Sequence, residues 1–220
     1  MIERLNDVGV EMPMTESSLK VENNNCVFKD SIFFDLEHYI YKKPICIGVF
    51  GCCFYDYKNQ ILKVTQYMIE NSKDVRDILD LARSYFETMI EMGKKYIVTF
   101  SGNNDFTVIN YLFEKYGIEF NIKDYFISID LQKEYEKEMH KSIGLKALEK
   151  EFGINRENEV ISGSNLAKTF SKIAKDDEYI KRMPEMKKQK ILLYNEQDVV
   201  SLFGIYTKWN DVFVGSAQNI

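Results

Sequence analysis

Asp35 and Glu37 stand two residues apart in the run Ser31-Ile-Phe-Phe-Asp-Leu-Glu37. In an extended strand the side-chain period of two puts both carboxylates on one face, while Ile32, Phe34 and Leu36 point the other way into a core. Two acids at the end of an apolar strand repel each other and lose hydration. A hard divalent cation with oxygen ligands offsets that cost; the plainer alternative is an exposed strand end. Other acid-x-acid triplets, Glu134–Glu136, Glu136–Glu138 and Glu157–Glu159, sit in charged, surface-like surroundings, so the apolar setting singles out the first pair.

Three further residues have the right types to join them. Asp105 lies where a strand and a polar loop hand over to a helix, a place for an N-cap or for a ligand at a strand's carboxyl end. Tyr194 and Asp198 fall four apart in Tyr-Asn-Glu-Gln-Asp, on one face of a helix. A tyrosine on that stripe also reads as core, but an aspartate one turn along is harder to explain as packing. Brought to one edge of a sheet, Asp35, Glu37, Asp105 and Asp198 offer the shared anionic ligands that two metal ions about 4 Å apart require for phosphodiester hydrolysis. In that arrangement Tyr194 would aim the attacking water.

The elements that must position these residues are legible as patterns. Strands are expected at Ser31–Glu37, Pro44–Tyr55 and Gln60–Met68, with links short enough for an antiparallel meander. Val75, Ile78, Leu79, Ala82, Phe86, Met89 and Ile90 mark a helix, with Asn71 or Ser72 to cap it and Gly93 to end it. A strand follows at Lys95–Phe100, then a loop at Ser101–Asn104, a helix at Asp105–Tyr116 stopped by Gly117, and a strand at Tyr125–Leu131. Helices are expected at Leu145–Phe152, Asn165–Ala174 and from about Pro184 to Lys208. The order predicts an α/β fold of the ribonuclease-H-like kind, with a five-stranded mixed sheet (three antiparallel strands, then parallel ones) flanked by helices. Residues 1–25 read as an N-terminal extension and 26–220 as a single domain.

Bulk properties agree with such a domain. The chain has 220 residues, 45% of them hydrophobic and 14% aromatic, with only three prolines and eleven glycines, enough to bury a core and unlike a disordered sequence. No repeat, signal peptide or bilayer-length apolar run is visible. Cys26, Cys46, Cys52 and Cys53 lack zinc-type spacing and read as reduced thiols of a cytoplasmic protein. A net charge of −5 argues against gripping nucleic acid by charge alone, although clustered metal-binding acids themselves lower that figure. The pairs Lys42–Lys43, Lys94–Lys95 and Lys187–Lys188 are either solvated surface or phosphate contacts.

Taken in order, Phe34-Asp35-Leu36-Glu37, Thr99-Phe-Ser-Gly-Asn-Asn-Asp105 and Tyr194-Asn-Glu-Gln-Asp198 resemble the motifs of the DnaQ-like, or DEDD, 3′–5′ exonuclease superfamily. More narrowly the chain is similar to the ribonuclease-H-like group typified by bacterial YprB proteins, whose linking segment resembles Ile129-Asp-Leu131, Gly144-Leu-Lys-Ala-Leu-Glu149 and Gly153-Ile-Asn-Arg156. The resemblance spans about residues 30 to 207. It implies that Asp35, Glu37, Asp105 and Asp198 bind two Mg²⁺ or Mn²⁺ ions. It also implies that Tyr194 marks the tyrosine subtype (DEDDy), and that the partner is a nucleic acid with a free 3′ end, single-stranded, with no membrane involved. The histidine subtype requires a histidine at position 193, where the chain has Leu193. Two departures stand out: His38 follows Glu37 where the family commonly has threonine, and Asn104 precedes Asp105 where it usually has phenylalanine. Asp124 and Asp130 are fallback ligands. A non-catalytic nucleic-acid-binding or interaction module of the same fold, and an endonuclease, are the competing readings.

Overall fold

In the computed structural model, which describes residues 1–156 and 161–213, six strands form one mixed sheet. They are β1 (Ile2–Gly9), β2 (Ser31–Tyr41), β3 (Lys43–Asp56), β4 (Ile61–Met68), β5 (Tyr96–Thr99) and β6 (Ile127–Asp130), in the order β1-β4-β3-β2-β5-β6. β2, β3 and β4 are the expected antiparallel meander, and β5 and β6 add to the free edge of β2 in parallel. The helices are α1 (Asp74–Glu91), α2 (Asn103–Lys115), α3 (Leu131–Met139), α4 (Leu145–Glu151), α5 (Gly163–Ile173), α6 (Tyr179–Arg182), α7 (Glu185–Thr207) and α8 (Trp209–Phe213).

The sheet has six strands rather than five. The sixth, β1, comes from the stretch read as an extension and pairs antiparallel with β4 at the sheet edge. Its half-buried residues are Ile2, Arg4, Asn6 and Val8, so two of four inward positions are polar and the alternation that announces a strand is blurred. Their partner explains them: Arg4 Nη2 lies 3.2 Å from Glu196 Oε2, and Asn6 Nδ2 donates to the same carboxylate at 3.1 and 3.2 Å. The rest of that stretch is tied to the end of the chain, with Leu19 buried and its N–H bonded to the Tyr206 carbonyl at 2.9 Å. Helices α3, α6 and α8 are also additional to the sequence reading.

The strand period decides which faces of β2 meet which layer. Ile32, Phe34 and Leu36 face a core completed by α1, α2 and α5, where Phe34 packs on Phe86 and Phe106. Phe33, Asp35 and Glu37 face the other way, toward α7. Phe33 packs edge-on to Phe203 at 5.3 Å and to Tyr206 at 6.1 Å, while Asp35 meets Asn195 further back along the same helix. Apolar burial at one end of this strand–helix contact therefore anchors the helix that carries Tyr194 and Asp198 against the strand that carries Asp35 and Glu37.

That contact is close because of Gly51, which pairs with Asp35 across the β2–β3 ladder. A Cβ at Gly51 would lie 2.0 Å from Asn195 Oδ1. The Asn195 side chain is fully buried on this spot. Its Oδ1 accepts from Gln66 Nε2 at 2.8 Å, and its Nδ2 donates to Asp35 Oδ2 at 3.0 Å. Gln66, also fully buried, holds the Leu192 carbonyl as well. The buried amides thus fix the orientation of Asp35, and neither can retreat without leaving polar atoms unpaired. Gly51→Ala is expected to destabilise the protein by about 1–3 kcal/mol through overpacking. It should also weaken divalent-cation binding, because Asn195 must leave Asp35. Denaturant melts with and without Mn²⁺ check this; wild-type stability and cation response would refute it.

Candidate active site

The acids of β2 and α7 converge. Asp35, Glu37 and Asp198 each present a carboxylate oxygen, and the three oxygens lie within 4.8 Å of one another. Asp198 is buried, while Asp35 and Glu37 are partly buried at the open end of the β2–α7 contact. Few groups offset this charge. Asn195 serves Asp35, and Arg156 Nη2 donates to Asp198 Oδ1. Among the described residues Glu37 has no hydrogen bond or ion pair, and Lys146 lowers its proton affinity only at a distance.

Asp105 stands beside this trio. The sequence left it as either a helix cap or a ligand. Helix α2 begins at Asn103 with Gly102 at its N-cap, so Asp105 belongs to the first turn and its side chain caps nothing. It is buried, and its proton affinity is raised by burial first, then by Asp35, Asp130 and Asp198. It is thus an electrostatic neighbour of the trio, while only Asp35, Glu37 and Asp198 share the 4.8 Å cluster among the described residues.

His38, the departure after Glu37, faces Asp105, with Nε2 3.7 Å from Asp105 Oδ1. The register shift beside it leaves the extra residue, Gly48, on β3, so His38 keeps the parity of Phe34 and Leu36 and faces the layer that contains α2. Burial lowers the imidazole's proton affinity. The fallback acids have other settings. Asp130 Oδ1 accepts from the Ser101 and Gln132 N–H groups, capping α3 and fastening the loop before α2, and Asp124 is exposed in a single 3₁₀ turn. Glu157 and Glu159 lie outside the described residues.

The side of the site opposite β2 comes from the segment between β6 and α5, where the sequence reading assigned no functional role. Arg156 forms a paired contact with Glu149 of α4, at 2.7 Å (Nε to Oε2) and 2.6 Å (Nη2 to Oε1), as well as its bond to Asp198. All three side chains are more than nine-tenths buried. The Tyr194 ring lies under two cations, Lys146 Nζ at 4.8 Å and the Arg156 guanidinium carbon at 5.3 Å, contacts that pin the ring. Burial raises the Tyr194 phenol's proton affinity, and Asp198 and Glu37 raise it further, so the hydroxyl stays protonated at neutral pH. The signal for Arg156, Glu149 and Lys146 was present as the quoted linking segment, but nothing in its spacing showed what it would face.

The electrostatics test whether this donor set fits a metal. Burial, then repulsion from Asp198, pushes Asp35 up to about 8. Burial pushes Asp198 up to about 6 against the pull of Arg156. Glu37 is held well above the usual carboxylate range by burial and by Asp35, Asp198 and Asp105. Acids with too little positive charge around them take up protons. Hard oxygen donors crowded within 4.8 Å, short of positive charge, are the donor chemistry of a divalent cation, which would displace those protons. Asp35, Glu37 and Asp198 would hold it.

A family model described as RNase_H superfamily matches residues 32–210. The chain belongs to the RNase H superfamily. No curated protein matches it. The mixed sheet with flanking helices is an RNase H-like fold. Together, membership of the superfamily and the three crowded carboxylates fit a metal-binding nuclease whose substrate is nucleic acid. Among the described residues of this RNase H-like chain, no helix is long and apolar enough to cross a membrane.

The charge balance has measurable consequences. Raised folded-state pKa values mean that the folded protein binds protons the unfolded chain has already lost. The associated stability is complete below about pH 4 and is lost as pH rises through about 6 for Asp198 and about 8 for Asp35. Metal-free protein should therefore melt several degrees lower at pH 9 than at pH 5. Mn²⁺ should restore the loss at high pH, and Asp35→Asn should flatten the slope. Calorimetric melts in EDTA and Mn²⁺ decide it, and a metal-free Tm that climbs from pH 5 to 9 contradicts it. Separately, Arg156→Met leaves Glu149 and Asp198 buried without a cation. It should cost about 3–5 kcal/mol in EDTA and substantially less in saturating Mn²⁺; an equal cost in both conditions would speak against shared neutralisation.

Proposed function

We propose that the protein is a 3′–5′ exonuclease of the DnaQ-like DEDDy type, in the group typified by YprB proteins. It would hydrolyse phosphodiester bonds of DNA or RNA with two Mg²⁺ or Mn²⁺ ions. The observation that carries this reading is the meeting of Asp35 and Glu37 from β2 with Asp198 from α7, their carboxylate oxygens within 4.8 Å. Tyr194, one helical turn before Asp198, supports the tyrosine subtype.

In this reading Asp35, Glu37 and Asp198 bind the ions, and Asp105 completes the set from the first turn of α2, supported by its burial and by the repulsion it shares with Asp35 and Asp198. Bound divalent ions supply Lewis-acid activation of water and neutralise charge at the phosphate. Tyr194, protonated and pinned beneath Lys146 and Arg156, directs its hydroxyl to the water that attacks. Asn195 keeps Asp35 in orientation through the Gln66 relay. Arg156 holds Asp198 through a bond to Oδ1. On this reading the substrate is a single strand presenting a free 3′ end. A cytoplasmic setting is in keeping with four unpaired cysteines, three of them buried.

One observation favours a second reading, a catalytically inactive nucleic-acid-binding or interaction module: Arg156 already neutralises Asp198. A single assay separates the two. With end-labelled single strands and Mg²⁺ or Mn²⁺, the exonuclease gives a ladder of products shortened from the 3′ end. Asp35→Ala should abolish it, and Tyr194→Phe should slow it by about 10²-fold or more with Mn²⁺ affinity retained. Products that persist in Asp35→Ala sink the exonuclease assignment, and intact strands under every metal condition select the inactive module.

A further inference from the structure

An open cavity of about 460 Å³ lies between α5, α6 and the start of α7, and four lysines line it: Lys168 and Lys172 of α5, and Lys187 and Lys190 of α7. Its size is that of a ligand site. All four lysines are exposed, and among the described residues none makes an ion pair. The contrast with neighbouring charges is sharp. Asp176 is held by Arg182, Glu178 by Lys181, Glu185 by Lys188, and Asp177 by the Ser72 N–H. Helix α5 carries no acid at all, and its lysines stand four apart, a like-charge spacing that disfavours the helix. The cavity thus concentrates unpaired positive charge on a chain whose net charge is −5.

The cavity adjoins the acid cluster. Its lining includes Ile161, whose carbonyl accepts from Lys146 Nζ at 3.2 Å, and that same ammonium lies over the Tyr194 ring. It also includes Ile191, one turn before Tyr194 on α7. Helix α5 packs on the Phe34 and Leu36 face of β2, so the link to the acids runs through Lys146 and α7. Tyr179, at the far wall, offers an aromatic face with Lys172 Nζ 5.5 Å from its centroid, and aromatic faces beside cations are how single strands are held without sequence preference.

We infer that this lysine-lined cavity holds the phosphates of the nucleic-acid strand leading away from the bond cut at the acid cluster. The inference rests on the nuclease reading for the direction of the strand. It explains how an acidic protein retains a polyanion: the substrate is gripped where the charge is locally positive and reaches the acids only at its end.

The test is fluorescence anisotropy of a labelled single strand of about 12 nucleotides, within the span that stacking-and-charge grooves engage, measured in EDTA over a range of salt. The wild type is compared with Lys168→Ala/Lys172→Ala, with Lys187→Ala/Lys190→Ala, and with a control, Lys123→Ala/Lys133→Ala, that removes equal charge elsewhere. Each cavity pair should weaken binding about tenfold or more at low salt and reduce the slope of log K against log salt by about 1.4, at about 0.7 for each phosphate of a single strand left without its lysine. Tm should not fall, Mn²⁺ affinity should stay unchanged, and the control should bind as wild type. Tyr179→Ala should weaken binding with no change in salt slope. Equal binding by cavity pairs and control overturns the inference, as does equal displacement by polyglutamate of matched charge, which would mark a surface for acidic polypeptides. Loss of binding on the cavity pairs, in a protein that never cleaves with any metal, keeps the cavity and removes the nuclease reading instead.

Discussion

Three carboxylates and one guanidinium share a small volume at the open end of the β2–α7 contact, and the surrounding structure is arranged to keep them there. Asp35, Glu37 and Asp198 repel one another across less than 4.8 Å, and burial removes the water that would screen them. Left alone, such a group would be relieved by rotating a side chain outward. Asp35 is restrained by Asn195, which Gln66 holds on a surface that only Gly51 leaves open. Asp198 is restrained by Arg156, which Glu149 aligns through a paired contact. Glu37 has no such restraint among the described residues. The result is a pocket poor in positive charge, with two of its three acids oriented. That combination is what separates a preorganised cation site from a merely acidic surface.

The residues that make the cluster were legible because their spacing rules are short-range. A period of two put Asp35 and Glu37 on one face of β2, and a separation of four put Tyr194 and Asp198 on one stripe of α7. The fold class was legible for a similar reason: the switch from strand-like to helix-like periodicity after Met68 gives the order of elements, and right-handed crossover leaves few ways to close them. The residues that restrain the cluster were less legible. Arg156 acts from a loop, where no period exists, and Asn195 lies inside the third motif, where neighbouring acids draw the eye. Helix α2 starts at Asn103, two residues before the boundary expected from the sequence, and this moves Asp105 from the cap into the first turn. Strand β1 was hidden because its inward face carries Arg4 and Asn6, whose purpose appears only when Glu196 of α7 is placed opposite.

Helix α7 carries several of these tasks on successive faces. Lys187 and Lys190 face the lysine-lined cavity, Tyr194 and Asp198 the acid cluster, Asn195 the glycine of β3, Glu196 the edge strand, and Phe203 and Tyr206 the core under β2. A helix used on all sides has no single apolar stripe. Amphipathic periodicity alone therefore describes α7 poorly although about half of it is buried, and its position is fixed by polar contacts as much as by apolar burial. Small changes in how α7 sits on the sheet would move the acids, the amide relay and the basic wall together.

This coupling bears on how net charge should be read. The value of −5 averages over two poles. One is the acid cluster, whose protons or cations neutralise it locally. The other is the α5–α7 lysine wall, whose neighbouring acids are occupied elsewhere. At physiological ionic strength the Debye length is about 8 Å, so a strand at either pole responds to nearby groups far more than to the total. Phosphates are attracted at the lysine wall and repelled at the bare acids. Bound protons weaken that repulsion, and divalent cations reverse the local sign. On the proposed reading, metal occupancy would then be a condition that favours entry of nucleic acid into the acid pocket, and not solely the chemistry that follows. The restraint of Asp35 and Asp198 by neutral amides and one shared guanidinium keeps that condition in force. A second fixed cation beside Glu37 would have neutralised the pocket and weakened its fit to a metal.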